Sequence, residues 1–236
     1  MIPARYAATR FPFKLMQLIG NKTIIRHTYE NTLATGLFDE VIVVTDSQII
    51  YDEIVSNGGT AAMSLKDHES GTDRIAEVAE NIDADIILNV QGDEPFINKA
   101  ALKSLLLAFN NNEVMVASLM KPFTDFETAT NPNIVKVIVD KNSDSLIFSR
   151  SPVPFHRDKN ISVTYNEHIG VYAFRKSALL KFVSLGESRL ESIEKIECLR
   201  FLENNIKLRM VATNESMIKI DVPEDLEKAI AFYNRI

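Results

Sequence analysis

The chain has few of the features that cross-link small secreted proteins or allow a chain to span a membrane. It contains one cysteine, Cys198, and no tryptophan among its 236 residues. A single cysteine excludes an internal disulfide and a cluster of thiolate metal ligands. No apolar run approaches the roughly 18 residues of a membrane span, and the first residues lack the apolar segment of a signal peptide. These absences predict a cytoplasmic protein without membrane partners.

An excess of basic residues is also missing. The chain has 26 Lys and Arg against 32 Asp and Glu, a formal net charge of -6, and both signs are interleaved along its length. This balance argues against a nucleic-acid partner and against a polybasic patch for lipid headgroups. Apolar residues make up 46% of the chain, which is ordinary for a globular protein that buries a sizeable core.

Helical and strand-like segments alternate in the first part of the chain. Helical spacing at 23–35 and at 48–57 is followed each time by an apolar, strand-like run, at 40–46 and at 60–64. Such alternation is typical of βαβ units. We therefore predict an α/β fold with a mostly parallel central sheet flanked by helices.

The alternation of helical and strand-like segments stops between residues 114 and 175, where several strand-like segments follow one another. We interpret 114–175 as a β-rich subdomain inserted into a single domain that spans 1–236. Such an arm can serve dimerisation, so a homodimer is expected.

Two predicted helices matter for the site. Helical spacing over 189–204 predicts one continuous helix, and its Glu191, Glu194 and Glu197 lie three apart, which is typical of a solvated face. Another helix begins near Ser70, where the side chain of Ser70 or of Thr72 can cap it, and its first N–H groups would face a ligand. A plain helix N-terminus without a ligand is the alternative there.

The other predictions for the site depend on the stretch 84–95. It begins as a short apolar run, typical of a strand buried on both faces, and ends in Gln-Gly-Asp-Glu-Pro. Asp93 and Glu94 therefore follow the carboxyl end of a predicted central strand, where ligands bind in open α/β sheets. An acid there can hold a divalent cation against a phosphate. A polar turn with solvated acids is the alternative.

Two other segments carry charges that complement this stretch. The loop after residue 3 places Arg5, Arg10 and Lys14 among small residues, an arrangement that suits a polyphosphate, with solvated surface cations as the alternative. Asp221 follows another apolar run and precedes Pro223, which begins the last predicted helix. Together, the two acids and the cationic loop suit a metal-bound nucleoside triphosphate.

Five motifs in this order resemble the 3-deoxy-manno-octulosonate cytidylyltransferases, also called CMP-Kdo synthetases. They are the segments 2–14, 70–74, 89–95, 168–172 and 220–226, which read IPARYAATRFPFK, SGTDR, NVQGDEP, HIGVY and IDVPEDL. Any one motif is a weak signal, whereas five in order are specific, and together they extend over nearly the whole chain.

The resemblance implies a Rossmann-like nucleotidyltransferase fold with an inserted dimerisation arm. It implies the reaction of CTP with Kdo to give CMP-Kdo and pyrophosphate, with Mg²⁺ as cofactor. The product would feed lipopolysaccharide assembly, which places the enzyme in a Gram-negative cytoplasm.

The motifs also imply roles for individual residues. Catalysis would fall to Lys14, Arg10, Asp93 and Asp221, and Mg²⁺ would be held by the two aspartates. The nucleotide would be bound by Ala4, Arg5, Arg10, Lys14, Ser70, Gly71 and Arg74. The sugar acid would be bound by Gln91, Arg150, His168, Tyr172 and Glu197. We expect His168 to orient the substrate rather than act as a general base, since a lone histidine is more often a hydrogen-bond partner.

The chain departs from the family pattern at three places. Phe13 stands where the family usually has glycine, a costly exchange if that position needs a positive φ. The first strand is shorter than is usual in the family, and Cys198 stands where relatives often carry glutamine.

These departures and the motifs leave two alternative functions. One is a cytidylyltransferase for another acidic sugar, such as sialic acid, against which the HIGVY motif and Arg150 favour Kdo. The other is a catalytically impaired nucleotide-binding homologue, made so by Phe13 and by the short first strand.

Overall fold

The computed structural model describes residues 1–7, 11–66, 68, 70–215 and 218–235. The strands are β1 (Ile2–Ala4), β2 (Leu18–Ile19), β3 (Lys22–Thr23), β4 (Val43–Thr45), β5 (Ala61–Met63), β6 (Ile86–Asn89), β7 (Val116–Phe123), β8 (Lys136–Val139), β9 (Ser145–Ser149), β10 (Tyr165–Arg175) and β11 (Arg209–Ala212). The helices are α1 (Ile24–Ala34), α2 (Gln48–Ser56), α3 (Gly71–Ala79), α4 (Lys99–Leu107), α5 (Phe126–Thr130), α6 (Lys176–Ser184), α7 (Arg189–Glu194), α8 (Leu199–Glu203) and α9 (Pro223–Tyr233). Short 3-10 turns form at Lys14–Met16 and Ala108–Asn110.

These elements form two compact units. The first comprises Met1–Ala84, Leu88–Leu102 and Ser216–Ile236, and the second comprises Asp85–Ile87 and Lys103–Glu215. Within the described ranges, no helix combines the length and the apolar character needed to cross a membrane. The single domain and the inserted arm at 114–175 stay predictions.

The first unit is built on parallel strands. β1, β4 and β5 pair in that order, with Ile2 opposite Val43. The N–H of Val90, just past β6, donates to the carbonyl oxygen of Met1 at 3.0 Å, so β6 lies beside β1. Val43 and Val44 are fully buried, as expected for a β-branched run with both faces covered. This confirms the predicted α/β class, and it brings the carboxyl ends of these strands to one edge.

Helices of the first unit bury an apolar stripe. Ile24 and Ile25 at the start of α1 and Ile75 in α3 are fully buried. Thr23 caps α1, because its Oγ1 accepts the N–H of Arg26 at 3.2 Å, which satisfies one of the free donors of the first turn. The cap fixes where α1 begins after the short hairpin of β2 and β3.

The second unit contains a mixed sheet in the order β11-β7-β10-β8-β9, and β6 pairs with β10. β10 runs antiparallel to β7, whereas β11 runs parallel to it. β8 and β9 form an antiparallel hairpin, within the stretch where the sequence shows several successive strand-like segments. The buried rings of Phe174, Phe182 and Phe201 form an aromatic core in this unit, with centroids 6.1 Å and 4.6 Å from that of Phe201.

The prediction of one continuous helix over 189–204 is wrong. α7 ends at Glu194, Lys195 adopts a left-handed backbone with a φ of 52°, and α8 begins only at Leu199. The carbonyl oxygens of Glu194 and Lys195 accept hydrogen bonds from the Arg150 guanidinium, at 2.7 Å and 3.2 Å, where a continuing helix would use them internally.

Glu191 also differs from the predicted solvated face. Its carboxylate is buried, and it accepts two hydrogen bonds from Arg200, at 2.7 Å and 2.8 Å. It also accepts the N–H of Ser188 at 2.9 Å, in the manner of a capping residue. The guanidinium of Arg200 lies 4.0 Å from the centre of the Phe182 ring. The acid therefore connects the two short helices to the aromatic core.

We expect Glu191→Ala to lower the free energy of unfolding by about 3 kcal/mol, because it leaves the Arg200 charge buried and unpaired. Urea unfolding followed by circular dichroism measures the change. The matched control is Glu187→Ala, since Glu187 makes an exposed ion pair with Lys195 at 3.3 Å. The control should leave unfolding nearly unchanged, and equal effects of the two substitutions would contradict the role of the buried pair.

Candidate active site

A cavity of about 260 Å³ lies within the first unit. Its lining includes these residues predicted from the motifs: Ala4, Arg5, Lys14, Ser70, Gly71, Arg74, Gln91, Asp93 and Asp221. The cavity follows the carboxyl ends of β1 and β6, which is the edge where open α/β sheets bind ligands. Arg10 lies outside the described residues.

Two glycines allow the chain to approach Pro3 closely at this edge. A Cβ atom on Gly92 would lie 2.9 Å from the Pro3 carbonyl oxygen, and one on Gly71 would lie 3.0 Å from Pro3 Cγ. The hydroxyl of Thr28 donates to the Gly92 carbonyl at 2.9 Å and holds the turn from the side of α1. Any side chain at position 92 would therefore push the turn that carries Asp93 away from β1.

The two aspartates predicted as metal ligands both contact Lys14. The Lys14 ammonium donates to the carboxylate of Asp93, and its Nζ lies 3.3 Å from Asp221 Oδ1. It also donates to the Ile220 carbonyl oxygen at 3.0 Å. The backbone explains the convergence, because the Ile220 N–H donates to the carbonyl oxygen of Asp93 at 3.0 Å. The last apolar run of the chain thereby docks onto the turn that follows β6.

The start of α9 fixes Asp221. Asp225 accepts the N–H groups of Asp221 and Val222, at 3.2 Å and 3.3 Å. Pro223 occupies the first turn of the helix, where the missing N–H costs nothing. This local structure matches the sequence prediction that a proline begins the final helix.

Negative charge is concentrated around Asp93. Burial, followed by the charge of Asp93, raises the pKa of Glu94 to about 8. Burial alone would lower the pKa of Lys219, but the surrounding carboxylates Asp93, Asp221 and Glu94 outweigh it and raise that pKa. Lys219 Nζ lies 3.3 Å from Asp221 Oδ2. This corner of the cavity is therefore arranged to attract cations.

The donor set at this corner fits a magnesium ion shared with a substrate. Asp93 Oδ1 is buried and has no hydrogen-bond partner among the described residues. Within the same part of the chain, no three His, Cys, Asp or Glu residues are grouped as a closed metal cage. Mg²⁺ is usually held by one or two carboxylates, with phosphate oxygens and water completing its shell. Asp93 and Asp221 supply that number of carboxylates.

Arg74 also lines the cavity and is buried. Its guanidinium donates to Ser64 Oγ and to Asp46 Oδ2, both at 2.7 Å. These two partners directly follow β5 and β4. Arg74 therefore ties α3 to the ends of two strands. Of the two predicted caps, Ser70 and Thr72, it is Ser70 that caps α3, since its Oγ accepts the N–H of Asp73 at 3.1 Å.

Sequence reasoning missed two residues with titratable side chains that line the cavity, His68 and Lys219. His68 Nε2 lies 2.6 Å from Glu77 Oε2. Burial would raise the pKa of Glu77, but hydrogen bonds from His68 and from the Leu65 N–H lower it. The position of His68 two residues before Ser70 was the available signal. Lys219 sits within an apolar run, where the pattern indicates only a strand.

The residues predicted to bind the sugar acid are divided between the units. Gln91 lines the cavity of the first unit, and the other four belong to the second unit. The Arg150 guanidinium donates to backbone carbonyl oxygens, including that of Pro132 at 2.7 Å. Glu197 lies in the turn between α7 and α8 rather than on a helix. The rings of His168 and Tyr172 lie 5.4 Å apart, centroid to centroid.

Phe13 has the positive φ on which the predicted strain depends. Its φ is 57° and its ψ 24°, the left-handed conformation that glycine adopts most easily. Its ring packs on Tyr6, with centroids 4.5 Å apart. The cationic loop thus retains a glycine-type backbone at a phenylalanine, and the aromatic contact offsets part of the strain.

Comparisons with known proteins agree with the motifs. A family model described as "Cytidylyltransferase" matches residues 1–210. A 3-deoxy-manno-octulosonate cytidylyltransferase from Flavobacterium johnsoniae is 54% identical over 100% of this chain and 98% of its own. The chain belongs to the 3-deoxy-manno-octulosonate cytidylyltransferase family. A second member, from Christiangramia forsetii, is 55% identical over 97% of this chain and 94% of its own.

A solved structure gives the same family placement. It is that of CMP:2-keto-3-deoxy-manno-octonic acid synthetase complexed with CTP, with a TM-score of 0.94 and 37% identity. The match covers 99% of this chain and 97% of that one. The Rossmann-like nucleotidyltransferase fold predicted from the motifs is therefore confirmed, and the protein is a cytidylyltransferase.

We expect Phe13→Gly to be more stable than Phe13→Ala by about 1 kcal/mol, because both lose the Tyr6 contact but only glycine relieves the left-handed strain. Thermal or urea unfolding of the two variants beside the wild type measures this difference. The alanine variant serves as the control for the lost ring. Equal stability of the two variants would show that the backbone at position 13 carries no strain.

Proposed function

We propose that this protein transfers CMP from CTP to Kdo and releases pyrophosphate. The observation that carries the proposal is the convergence of Asp93 and Asp221 on the Lys14 ammonium, at the wall of the first unit's cavity. The family's curated members carry the name of this activity. Because these relatives are 54% and 55% identical to the chain and carry the Kdo name, the alternative of a sialic-acid enzyme is not favoured.

The reaction requires positioning more than covalent chemistry. A hydroxyl oxygen of the sugar acid attacks the α-phosphorus of CTP, the bond from that phosphorus to the bridging oxygen breaks, and pyrophosphate leaves with the electron pair. The hydroxyl proton passes to solvent water. The protein's task is to hold the two reactants in line and to offset the negative charge that grows on the leaving group.

Different residues of the cavity would perform different parts of this task. Lys14 and Arg10 would offset charge on the leaving pyrophosphate, and Arg5 would bind the triphosphate with them. Asp93 and Asp221 would hold Mg²⁺, which when bound brings the α-phosphate and the attacking hydroxyl together and lowers the pKa of that hydroxyl.

The nucleoside would lie against Ala4, Ser70, Gly71 and Arg74. The bonds of Arg74 to Asp46 and Ser64 make it a rigid part of the wall, so its role is to shape this end of the cavity. The sugar acid would be bound by Gln91, Arg150, His168, Tyr172 and Glu197. For Arg150, the backbone carbonyl partners favour a role in shaping the surrounding loops.

A homodimer formed through 114–175 and a cytoplasmic location belong to the same proposal. Support for the dimer comes from large apolar side chains that are exposed within this segment: Leu146, Phe155 and Ile161. Exposed apolar groups of this kind are frequent at protein interfaces.

Pyrophosphate release from CTP, measured with Kdo and with N-acetylneuraminic acid as acceptors, tests the proposed function. We expect release with Kdo and little with the sialic acid. Release only with the sialic acid would instead support the alternative sugar. CTP binding by calorimetry, without release with either acceptor, would support the impaired homologue. The variant Phe13→Gly, tested in parallel, shows whether the phenylalanine limits turnover.

We expect Asp93→Asn to lower kcat by about 10²-fold or more, the usual loss when a preorganised charge is removed from a reaction site. The measurement is initial-rate pyrophosphate release at saturating Mg²⁺ and CTP. Asp52→Asn is the control, because Asp52 is an exposed acid on α2 in the same unit, and it should leave kcat unchanged. Near-normal turnover of the Asp93 variant would rule out its role in holding the metal.

A further inference from the structure

The HIGVY motif forms an irregular step in β10. Ile169 lies opposite Leu119 on β7, but Tyr172 lies opposite Ser118, so two residues are inserted where the partner strand advances by one position. Residues four apart on a regular strand are separated by about 13 Å. The rings of His168 and Tyr172 nevertheless lie 5.4 Å apart. The bulge therefore brings together two side chains that a regular strand would keep apart, which is a known use of bulges.

Ser118 occupies the inside of this bulge. Its side chain is fully buried, and its Oγ lies 2.9 Å from the Val171 carbonyl oxygen and 3.1 Å from that of Ile169. The same oxygen lies 3.0 Å from His168 Nε2. One hydroxyl on β7 thus contacts both carbonyl groups of the bulge and the ring of the motif's histidine.

The number of protons available for donation decides the direction of these hydrogen bonds. A serine hydroxyl has one proton, and the carbonyl oxygens of Ile169 and Val171 can only accept. If the proton went to His168 Nε2, the Ser118 Oγ would face two carbonyl oxygens, at 2.9 Å and 3.1 Å, with lone pairs alone, and the three contacts would contain a single hydrogen bond. The proton therefore goes to a carbonyl oxygen, and Oγ accepts a hydrogen bond from His168. This requires a proton on Nε2, which makes Nδ1 the basic nitrogen of the neutral ring.

We propose that Ser118 is a positioning residue for the sugar-acid site, which acts by fixing the tautomer and the orientation of His168. The Phe148 ring makes an edge-to-face contact with the His168 ring, with centroids 4.9 Å apart, and this contact also restricts the orientation of the imidazole. The proposal rests on the proposed function, since it takes His168 and Tyr172 as residues that bind the sugar acid. In this tautomer Nδ1 is the ring nitrogen that can accept a hydrogen bond, and a hydroxyl group of the sugar acid can donate one.

Nitrogen-15 NMR of histidine-labelled protein tests the tautomer without any substitution at Ser118. The chain has four histidines, so the loss of one ring signal in His168→Gln assigns His168. At a pH where the ring is neutral, we expect a protonated Nε2 and an unprotonated Nδ1. The opposite tautomer, or rapid exchange between the two, would overturn the proposal. This result does not depend on activity, so it stands even if the enzyme does not use Kdo.

Kinetics of Ser118→Ala test the consequence for binding. We expect the KM for Kdo to rise about tenfold, the effect of losing about 1.4 kcal/mol of interaction, and the KM for CTP to change less than about twofold. Ser118→Thr keeps the hydroxyl and should restore the KM for Kdo. A wild-type enzyme without Kdo-dependent release would refute the proposed function itself rather than the tautomer.

Ser145→Ala is the matched control. Ser145 is a buried serine on β9 of the same unit, and its hydroxyl has no hydrogen-bond partner among the described residues. Its removal should leave both KM values unchanged. An unchanged KM for Kdo in Ser118→Ala, or an equal rise in both KM values, would contradict a positioning role.

Discussion

The ion cluster of Lys14, Asp93 and Asp221 is the interaction on which the first unit's site depends. It joins the loop after β1, the turn after β6 and the start of α9, three segments that are far apart in sequence. Like charges in a buried corner repel one another, so the two carboxylates can lie together only because a cation is shared between them. The same requirement makes the corner attractive to a cation, which supports the Mg²⁺ site proposed for the two aspartates.

Around this cluster the fold supplies fixed walls. The parallel strands end at one edge, and Arg74 ties α3 to the ends of β4 and β5 through Ser64 and Asp46. Because a guanidinium offers several donors in one plane, a single side chain can fix two strand ends. In the second unit, Arg150 holds the carbonyl groups of a helix end in a comparable way. In both places an arginine side chain ties together segments that are separate in the sequence.

The sequence was sufficient for the features that depend on local pattern. Apolar runs predicted the parallel strands, and the acid after each of two such runs predicted that Asp221 could reach the same crevice as Asp93. Asp93 does follow β6, but residues 218–220 before Asp221 form no strand and reach the crevice through the hydrogen bond from Ile220 to Asp93. Phe13 was recognised as strained only through comparison with the family's glycine. What failed was non-local: the break at Lys195 and the burial of Glu191 both depend on partners, Arg150 and Arg200, that spacing along one helix does not reveal.

The geometry of the site depends on the absence of a side chain at Gly92. Only a hydrogen atom fits between its α-carbon and the Pro3 carbonyl oxygen, because a methyl group there would sit 2.9 Å from that oxygen. The smallest residue thus sets the depth at which its charged neighbour enters the cavity. Even alanine at this point would shift the neighbouring carboxylate by a fraction of a bond length, enough to spoil a reaction that tolerates little misalignment.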